Sequence, residues 1–493
     1  MRSHHFLLTT FLVFSLCLFP ILAAAATPHI YDVPHVGPPG SQTSLVGNGF
    51  DPNATLDIYL DSTNVGLVDT DKDGSFGMAL RAPTIRQNGL TVQIPKDAVP
   101  GQHWITAVER ITQLQAQVQF VVSTDWPQFH FDAQHTGFNP YENVLSPETV
   151  GNLTTRWTFK EYVGGAVVAN SAVYVNSQYY LYALDAGTGA VLWNYSVGNV
   201  GISPGAVVNG VVYASAGGDG VYALNAASGV LLWKAAGLAY GTLPAVANGV
   251  VYVATYLEGY LYALNAATGA ILWKYDIGGS PQSSPTVADG VVYVAAGDVY
   301  ALSADTGAVL WKFTNGFAYE SPAVANGVVY VGSNDHNLYA LEASAGTLIW
   351  KYAANSWIAS CPAVANGVVY VGSGDNNIYA LNAATGVLLW KYAAGDWVSS
   401  SPAVANGVLY VGSDDGNLYA LDASTGALLW KYTTRNVVQD SPAVVNGMIY
   451  TSSQDGNFYA FGLPNQQMSE KFSPPQRPDP ARLTPNWSPT LKK

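Results

Sequence analysis

Residues 401–432 read Ser401-Pro-Ala-Val-Ala-Asn-Gly-Val-Leu-Tyr-Val-Gly-Ser-Asp-Asp-Gly-Asn-Leu-Tyr-Ala-Leu-Asp-Ala-Ser-Thr-Gly-Ala-Leu-Leu-Trp-Lys-Tyr432, and variants of this stretch recur along the chain. Its tryptophan returns every 36 to 40 residues. A fixed period near 40 residues indicates a repeat architecture, in which each unit buries its apolar surface against its neighbours. The recurring tryptophans are Trp157, Trp193, Trp233, Trp273, Trp311, Trp350, Trp390 and Trp430.

Each unit contains four short runs rich in Val, Leu, Tyr and Trp, which are typical of β-strands. In the quoted unit they are Pro402–Ala405, Val408–Val411, Leu418–Asp422 and Ala427–Tyr432. Asn406-Gly407 joins the first two runs as a tight hairpin, because both residues tolerate the positive φ that such turns need. Four antiparallel strands in about 40 residues predict one blade of a β-propeller.

The chain contains eight such units, but the last one lacks its fourth strand. The eighth unit stops after Phe461, whereas Thr155–Lys160 precedes the first unit and has the character of the missing strand. An N-terminal strand that completes the last blade would close the ring and remove its open edges. We therefore predict an all-β protein whose residues 157–463 form an eight-bladed β-propeller with N-to-C strand closure. The units begin near Gly165, Ser203, Leu243, Ser284, Ser321, Cys361, Ser401 and Ser441.

The repeated string Tyr-Ala-Leu-Asp-Ala-x-Thr-Gly-x-x-x-Trp stands at Tyr182–Trp193 and Tyr419–Trp430. It resembles the blades of the quinoprotein-like (PQQ-repeat, BamB-like) propellers, and the resemblance extends from about Trp126 to Leu463. That family includes quinone-dependent alcohol and glucose dehydrogenases and a non-enzymatic outer-membrane assembly protein. The resemblance therefore implies the fold and leaves the chemistry open.

Both ends of the chain differ in composition from the repeats. Residues 1–26 predict a secretory signal peptide, since Arg2 precedes an apolar run over Phe6–Leu22 and a small-residue site at Ala24–Ala26. An uncleaved membrane anchor is the alternative. Residues 464–493 contain seven prolines and predict a disordered tail. We expect an exported bacterial protein, secreted or periplasmic, with no membrane span after signal cleavage.

Residues 27–123 lack the 40-residue period and contain seven strand-like runs, which predict an N-terminal Ig-like β-sandwich. Gly47–Pro52 and Pro100–Ile105 resemble the IPT/TIG type of Ig-like module. That resemblance implies a spacer or an adhesion unit. The seven runs are Thr43–Val46, Thr55–Leu60, Gly66–Val68, Ser75–Leu80, Leu90–Ile94, His103–Val108 and Gln115–Val122.

Asp69, Asp71 and Asp73 follow the spacing of the first half of an EF-hand calcium loop. Leu80 occupies the position where that loop needs a bidentate Glu. We interpret the three aspartates as residues of a hairpin turn, with a weak calcium site as the alternative.

Residues 124–156 form a lead-in segment, which is similar to the segment before the first blade in the quinoprotein-like propellers. His130, Asp132 and His135 within it could be imagined as metal ligands, but no fourth ligand is near in the sequence. We expect the lead-in to pack against the ring.

Propeller geometry separates constant turns from variable loops. The turns between the first and second strands and between the third and fourth strands lie on one face, and they are nearly always Asn-Gly and Thr-Gly or Ser-Gly. The other connections lie on the opposite face and differ in nearly every unit. Such loops are free to carry recognition, and aromatic side chains at a channel mouth are good anchors; drift in exposed loops is the alternative. The candidate ligand-binding residues are Tyr240, Gln282, Phe317, Tyr319, Glu320, Trp357, Trp397, Arg435 and Asp440.

We expect a non-enzymatic binding or scaffold propeller that recognises an extracellular or envelope protein, peptide or glycan on its variable-loop face. The net charge of −13 argues against nucleic-acid partners and anionic membranes. The alternative is a PQQ- and calcium-dependent quinoprotein dehydrogenase, with the cofactors in the ring centre and an Asp as base.

Three features disfavour the enzyme. Cys361 is the only cysteine outside the signal segment, so the adjacent-cysteine disulfide of many alcohol dehydrogenases of that family cannot form. The units carry no long insertions, and no Glu, Asn and Asp set matches the family's calcium ligands. Glu320 and Asp440 lie in different units, and two carboxylates by themselves do not indicate catalysis. We therefore assign no catalytic residue and no cofactor.

Overall fold

The computed structural model describes residues 27–77, 90–161, 163–198, 200–238 and 240–464. Apart from a 3-10 turn at Val150–Asn152, the regular structure of these residues is strand. None of the described segments is a helix with the length and apolarity that a membrane crossing requires. The predicted signal peptide, the predicted tail from residue 465 onward and the end of the run Ser75–Leu80 lie outside the described residues.

The N-terminal part forms two sheets that share one core. The strand order is β1-β3-β6 in the first sheet and β2-β8-β7-β4-β5 in the second. Leu45 and Val92 from the first sheet pack in the same cluster as Leu56, Ile105 and Phe120 from the second. A two-layered β-sandwich results, and its assignment to the Ig-like class stays a prediction. The strands are β1 His29–Val33, β2 Val36–Gly37, β3 Gln42–Asn48, β4 Thr55–Leu60, β5 Thr63–Asp69, β6 Leu90–Gln93, β7 Gly101–Glu109 and β8 Gln115–Val122.

The remainder of the described chain folds into eight sheets. We number them in chain order by their inner strands. Sheets 1, 2, 3, 5 and 6 each take four consecutive strands and sheet 4 takes three; sheet 7 takes β34 to β37 with β9 added parallel to β34, and sheet 8 takes β38, β39, β40 and β10. In sheet 4 one element, β24, fills the two middle positions, because its first half pairs with β23 and its second half with β25. The strands are β9 Phe138–Asn139, β10 Thr154–Phe159, β11 Val163–Ala169, β12 Ala172–Ser177, β13 Tyr180–Asp185, β14 Val191–Ser196, β15 Ile202–Val208, β16 Val211–Ala216, β17 Gly220–Asn225, β18 Leu231–Ala236, β19 Ala245–Ala247, β20 Val250–Thr255, β21 Tyr260–Asn265, β22 Ile271–Asp276, β23 Thr286–Ala288, β24 Val291–Ser303, β25 Val309–Ala318, β26 Ala323–Ala325, β27 Val328–Gly332, β28 Asn337–Glu342, β29 Leu348–Ala353, β30 Ala363–Ala365, β31 Val368–Gly372, β32 Asn377–Asn382, β33 Leu388–Ala393, β34 Ala403–Ala405, β35 Val408–Gly412, β36 Asn417–Asp422, β37 Leu428–Thr433, β38 Ala443–Val445, β39 Met448–Ser453 and β40 Asn457–Gly462.

Local turn chemistry fixes the strand pairing. Asn406 and Gly407 have φ values of 43° and 80°, the paired positive angles of a type I′ hairpin. The hairpin sets Ala405 opposite Val408 in β34 and β35. The turn predicted from Asn-Gly is therefore present.

Neighbouring sheets are joined through the recurring tryptophans. The indole Nε1 of Trp193, on the outer strand of sheet 1, donates a hydrogen bond of 2.8 Å to the carbonyl oxygen of Ala226 in sheet 2. Because the ring also buries apolar area against that sheet, the contact combines packing with a satisfied donor. The same bond joins Trp157 to Ala186, Trp233 to Ala266, Trp273 to Ala304, Trp311 to Ala343, Trp350 to Ala383 and Trp390 to Ala423.

The innermost strands lie side by side around an axis. Each inner strand neighbours the inner strand of the next sheet, from β11 through β15, β19, β23, β26, β30, β34 and β38, and β38 also lies beside β11. In sheet 8, β10 pairs antiparallel with β40 and sets Trp157 opposite Ala460. The all-β repeats thus form a β-propeller.

Candidate functional site

The two kinds of variable loop meet on one face, which we call the loop face. The backbone N–H of Asp414, between the second and third strands of sheet 7, donates to the carbonyl oxygen of Trp397 at 2.8 Å. Trp397 lies in the connection that leads from sheet 6 into sheet 7. Gly374 donates to Trp357 in the same way one sheet earlier, at 3.0 Å. These bonds place both loop types together, as propeller geometry predicts.

The opposite face is in contact with the N-terminal part of the chain. The side chain of Asn446, in the hairpin turn of sheet 8, accepts a hydrogen bond from the Thr124 backbone at 2.9 Å. Asn406 of sheet 7 donates to the carbonyl oxygen of Leu145 at 3.0 Å. Asn143 in turn donates to the carbonyl oxygen of Ala98 in the sandwich at 2.8 Å. The sandwich, the start of the lead-in and the part of the lead-in around Leu145 therefore sit on the hairpin side of the ring.

A repeated aspartate holds the loops of the loop face. The carboxylate of Asp415 accepts the hydroxyl of Tyr419 at 2.6 Å and the backbone N–H of Gly395, in the adjoining connection, at 2.6 Å. Burial alone would raise the pKa of Asp415, but these hydrogen bonds and those from Asn417 lower it below the usual value. The string Asp-x-Asn-x-Tyr carries this clamp, and it could have been found in the sequence. It recurs at Asp335–Tyr339, Asp375–Tyr379 and Asp455–Tyr459.

Two of the candidate aromatic residues form a pair. The rings of Trp357 and Trp397 meet edge to face, with centroids 5.0 Å apart and planes at 76°. Trp397 is 46% exposed, whereas Trp357 is half-buried. Their backbones are tied to the neighbouring loops, so the pair is a fixed apolar feature of the loop face.

The other aromatic and polar candidates are spread around that face. Tyr240 and Phe317 are 53% and 54% exposed, and Gln282 and Arg435 are exposed as well. Tyr319 is half-buried. Tyr240 adopts a left-handed φ of 52°, a conformation that non-glycine residues hold only where the surroundings impose it. In the part of the chain described here, none of these five makes a ring contact with the tryptophan pair.

Glu320 and Asp440 occupy equivalent positions in their sheets. Each lies three residues before the alanine that stands opposite the second-strand tyrosine, Tyr330 or Tyr450. Counting three residues back from the partner of the second-strand tyrosine gives one residue in each sheet, and we call this set the collar; in sheets 1 and 2 a register shift lies between that residue and the tyrosine pair. The collar residues are Gly164, Ser203, Thr242, Ser283, Glu320, Ser360, Ser400 and Asp440.

Most collar residues are serine or threonine, and hydroxyl groups among them form hydrogen bonds with the backbone of the ring. The Ser400 Oγ accepts the backbone N–H of Gly412 at 3.1 Å, and Ser360 does the same for Gly372 at 2.8 Å. Asp440 directs its carboxylate elsewhere, since it accepts the backbone N–H of Gly165 in sheet 1. Burial raises the pKa of Asp440 to about 6 and that of Glu320 to about 7.

The lead-in segment packs against the inner strands and winds around the inside of the ring. Its backbone or side chains bond to the inner strand of every sheet in turn. The Gln128 amide, for example, accepts the N–H of Val246 at 2.9 Å and donates to the carbonyl oxygen of the same residue at 3.0 Å. The inner-strand partners, in order, are Val168, Val207, Val246, Val287, Val324, Val364, Val404 and Val444.

The lead-in histidines are structural residues of this coil. The two ring nitrogens of His130 lie 2.9 Å and 2.8 Å from the carbonyl oxygens of His135 and Pro402. His135 contacts Thr286 at 2.9 Å, and burial lowers its pKa to about 3. Within the described residues no group of three or more His, Cys, Asp or Glu side chains is arranged to hold a metal ion.

Of the three aspartates of the sandwich, Asp71 serves a turn. The Asp71 carboxylate accepts the backbone N–H groups of Asp73 at 2.8 Å and Ser75 at 2.9 Å, and these bonds lower its pKa. Asp69 accepts the Thr55 hydroxyl at 2.7 Å, and Asp73 faces Lys72 at 3.4 Å. The turn bonds therefore come from Asp71, and the interpretation of all three aspartates as turn residues stays a prediction.

An axial funnel lies between the loop face and the lead-in, with a cavity volume of about 290 Å³. Trp126, Phe129 and His130 of the lead-in line its inner end, and Asp440 and Gln439 line its wall. No lysine or arginine is among the residues that line it.

This lining is a poor match for the quinone of the alternative function. Pyrroloquinoline quinone carries three carboxylates, and the titratable acid of the funnel, Asp440, would repel them. The funnel offers no cationic side chain to offset that repulsion. We therefore derive no chemical step through a quinone.

Three solved structures share the fold at low sequence identity. BamB from Moraxella catarrhalis matches with 20% identity and a TM-score of 0.55, covering 63% of this chain and 99% of its own. Quinohemoprotein alcohol dehydrogenase from Comamonas testosteroni matches with 16% identity and a TM-score of 0.60, covering 70% and 82%. The computationally designed Ika8 protein matches with 17% identity and a TM-score of 0.55, covering 62% and 98%. At these identities the likeness establishes the fold alone.

A comparison with curated proteins finds no match. The family described as outer membrane protein assembly factor BamB matches residues 151–240, 221–312, 295–396 and 389–466. These segments cover the repeats and confirm the resemblance drawn from the repeated string, whereas the IPT/TIG resemblance lies outside them and stays a prediction. On the evidence of its repeats and their fold, this chain belongs to the BamB family of PQQ-type repeat β-propellers.

Proposed function

We propose that the protein is a non-enzymatic binding or scaffold propeller that recognises an extracellular or envelope protein, peptide or glycan on its loop face. The observation that carries the proposal is the Trp357–Trp397 pair, which is fixed in place and partly exposed on that face. Leaving an indole in water forfeits its burial energy, and rigid aromatic anchors are typical hot spots of recognition. Within the described residues the sandwich lies on the opposite side of the ring, which leaves these rings accessible to a partner.

The proposed function assumes a particular domain organisation of the chain. The eight sheets are the blades of a closed ring, residues 27–123 are an Ig-like spacer, and residues 1–26 direct export from a bacterial cell. The pairing of β10 with β40 and the position of β38 beside β11 support the closed ring. A ring closed by its own N-terminal strand presents a loop face without a gap.

Site-specific photo-crosslinking tests the binding face. A photoreactive phenylalanine replaces Trp397 in one variant and Leu389 in its control, since Leu389 is 50% exposed on the outer strand β33 of the preceding sheet. We expect a discrete adduct in producing cells from position 397 that excess unlabelled protein suppresses. We expect Trp357→Ala to weaken it. Equal adducts from both positions, or none from position 397, would contradict the proposal.

A quinoprotein dehydrogenase is the second candidate, favoured by the structural likeness to the Comamonas enzyme. Thermal unfolding with and without pyrroloquinoline quinone and calcium, followed by dye-linked alcohol oxidation in the same sample, separates the two functions. A raised midpoint together with turnover would overturn the binding proposal. An unchanged midpoint without turnover is the result that we expect.

A further inference from the structure

The collar shows that Asp440 is not required by the fold. At the equivalent place in sheets 6 and 7 a serine hydroxyl satisfies a backbone N–H of its own sheet. Asp440 instead reaches toward sheet 1, where the collar residue is Gly164. A β-carbon built on Gly164 would lie 3.7 Å from Asp440 Oδ1 and 3.4 Å from Asn176 Oδ1. Glycine therefore keeps the space around the carboxylate open on the side of the funnel.

The carboxylate of Asp440 has unused hydrogen-bonding capacity. A carboxylate accepts about four hydrogen bonds, and the side chain of Asp440 receives one from the protein, from the Gly165 N–H. The residues that line the funnel include no cationic side chain. A charged group held in partly desolvated surroundings without a counter-ion is costly. A positive ligand would offset that cost.

We infer that the axial funnel binds an organic cation, an ammonium or guanidinium group, with the Asp440 carboxylate as its counter-ion. The cavity of about 290 Å³ accommodates such a head group on a short alkyl chain. A guanidinium can donate two parallel hydrogen bonds to one carboxylate. Phe129 is half-buried and lines the same funnel, and aromatic rings favour cations nearby.

The cation has two sources, a free small molecule or an arginine or lysine side chain of the partner on the loop face. Only the second source rests on the proposed function. Glu320 holds the equivalent place in sheet 5, so the collar carries a second acidic residue, but Glu320 is not among the residues that line the funnel.

Calorimetric titration of the full chain at pH 8 tests the site. The probes are butylguanidinium, its neutral isostere butylurea, and the capped peptide acetyl-Gly-Arg-Gly-amide. The test variant is Asp440→Asn. The control is Asp289→Asn, which makes the same acid-to-amide change in a hairpin turn of the opposite face; Asp289 has a φ of 49° there, and the corresponding residue of sheet 7 is Asn406.

We expect butylguanidinium or the peptide to bind the wild type and Asp289→Asn alike, and Asp440→Asn about ten- to a hundredfold more weakly. Binding of the free cation identifies a small-molecule site, and binding of the peptide alone identifies a side chain of the partner. Failure of both probes, equal binding of butylurea, or unchanged affinity in Asp440→Asn would overturn the inference. A loop-face crosslink at position 397 that persists in Asp440→Asn would leave the proposed function standing while this inference fails.

Discussion

The indole nitrogen of Trp350 donates a hydrogen bond of 2.9 Å to the carbonyl oxygen of Ala383 in the next sheet. The same ring lies over Gly386, where an added β-carbon would approach the ring carbons to 2.7 Å. The Thr-Gly turn of one sheet therefore forms the surface against which the tryptophan of the sheet before it packs. This contact explains why tryptophan and glycine recur together in the repeats.

Gly386→Ala tests that contact. Gly386 has a φ of 70°, so alanine there suffers both a left-handed backbone and a clash with the indole of Trp350. Gly367→Ala is the matched control, because Gly367 has a φ of 79° with nothing within 4 Å of its added β-carbon. We expect Gly367→Ala to cost about 1 kcal/mol and Gly386→Ala roughly 2 kcal/mol more. Urea unfolding measures both, and equal losses would show that the ring does not constrain the turn.

Two aspartates of the ring are expected to respond to pH with opposite signs. The pKa of Asp440 is raised to about 6 by burial, from an ordinary value of 3.8. The folded state therefore holds a proton that the unfolded state has lost, and stability falls as pH rises from about 4 to 6. We expect Asp440→Asn to be more stable than wild type at pH 8, by roughly 1–3 kcal/mol after screening by water in the funnel. At pH 3 the two should unfold together.

Asp375 is the aspartate whose effect on stability should have the opposite dependence on pH to that of Asp440. Burial favours its neutral form, but hydrogen bonds from Tyr379 at 2.6 Å, Asn377 and the Asn355 backbone lower its pKa below 3.8. Its stabilising contribution is thus present above pH 4 and is lost as pH falls below the folded pKa. Asp375→Asn should lose about 1–3 kcal/mol at pH 8 and less at pH 3. Urea unfolding of both variants at the two pH values measures whether each substitution raises or lowers the free energy of unfolding. A loss of stability in Asp440→Asn at pH 8 would refute the burial argument.

The repeats could be predicted because their turns and strands depend on residues that are close together in the sequence. The pair Asn406-Gly407 indicates a tight turn, and the fixed spacing of Trp350 and the other recurring tryptophans indicates packing between units. The collar was harder to predict, because position relative to the tyrosine pair, and not residue type, defines it. In sheet 2 the register shift between Pro204 and Ala206 sets Ser203 opposite Ser215, two residues beyond Tyr213, which is the level of Ser401 in sheet 7 and not that of Ser400.

Contacts between loops follow no local rule. The sequence placed Trp357 and Trp397 on one face, but only the structure brings their rings together. The Asp-x-Asn-x-Tyr clamp was visible in the sequence as a repeat, yet its purpose depends on an N–H from the preceding connection, such as that of Gly395. The first strand of the sandwich, His29–Val33, was not among the predicted runs.

The lead-in is the element that sequence reasoning could least foresee, because most of its bonds to the ring come from its backbone. Gln128 is an exception, since its side chain bonds to both backbone groups of Val246. Gln134 contributes its carbonyl oxygen, which accepts the N–H of Val324 at 2.9 Å.

Gln128→Ala should therefore leave a buried N–H and a buried carbonyl without partners, at a cost of about 2–4 kcal/mol in the free energy of unfolding. Gln134→Ala removes the same side chain where the ring uses only the backbone, and it should cost less than about 1 kcal/mol. Hydrogen exchange at the Val246 amide gives a local readout, with faster exchange expected in Gln128→Ala alone. Equal losses in both variants would mean that the lead-in is held by its bulk inside the ring, not by these two hydrogen bonds.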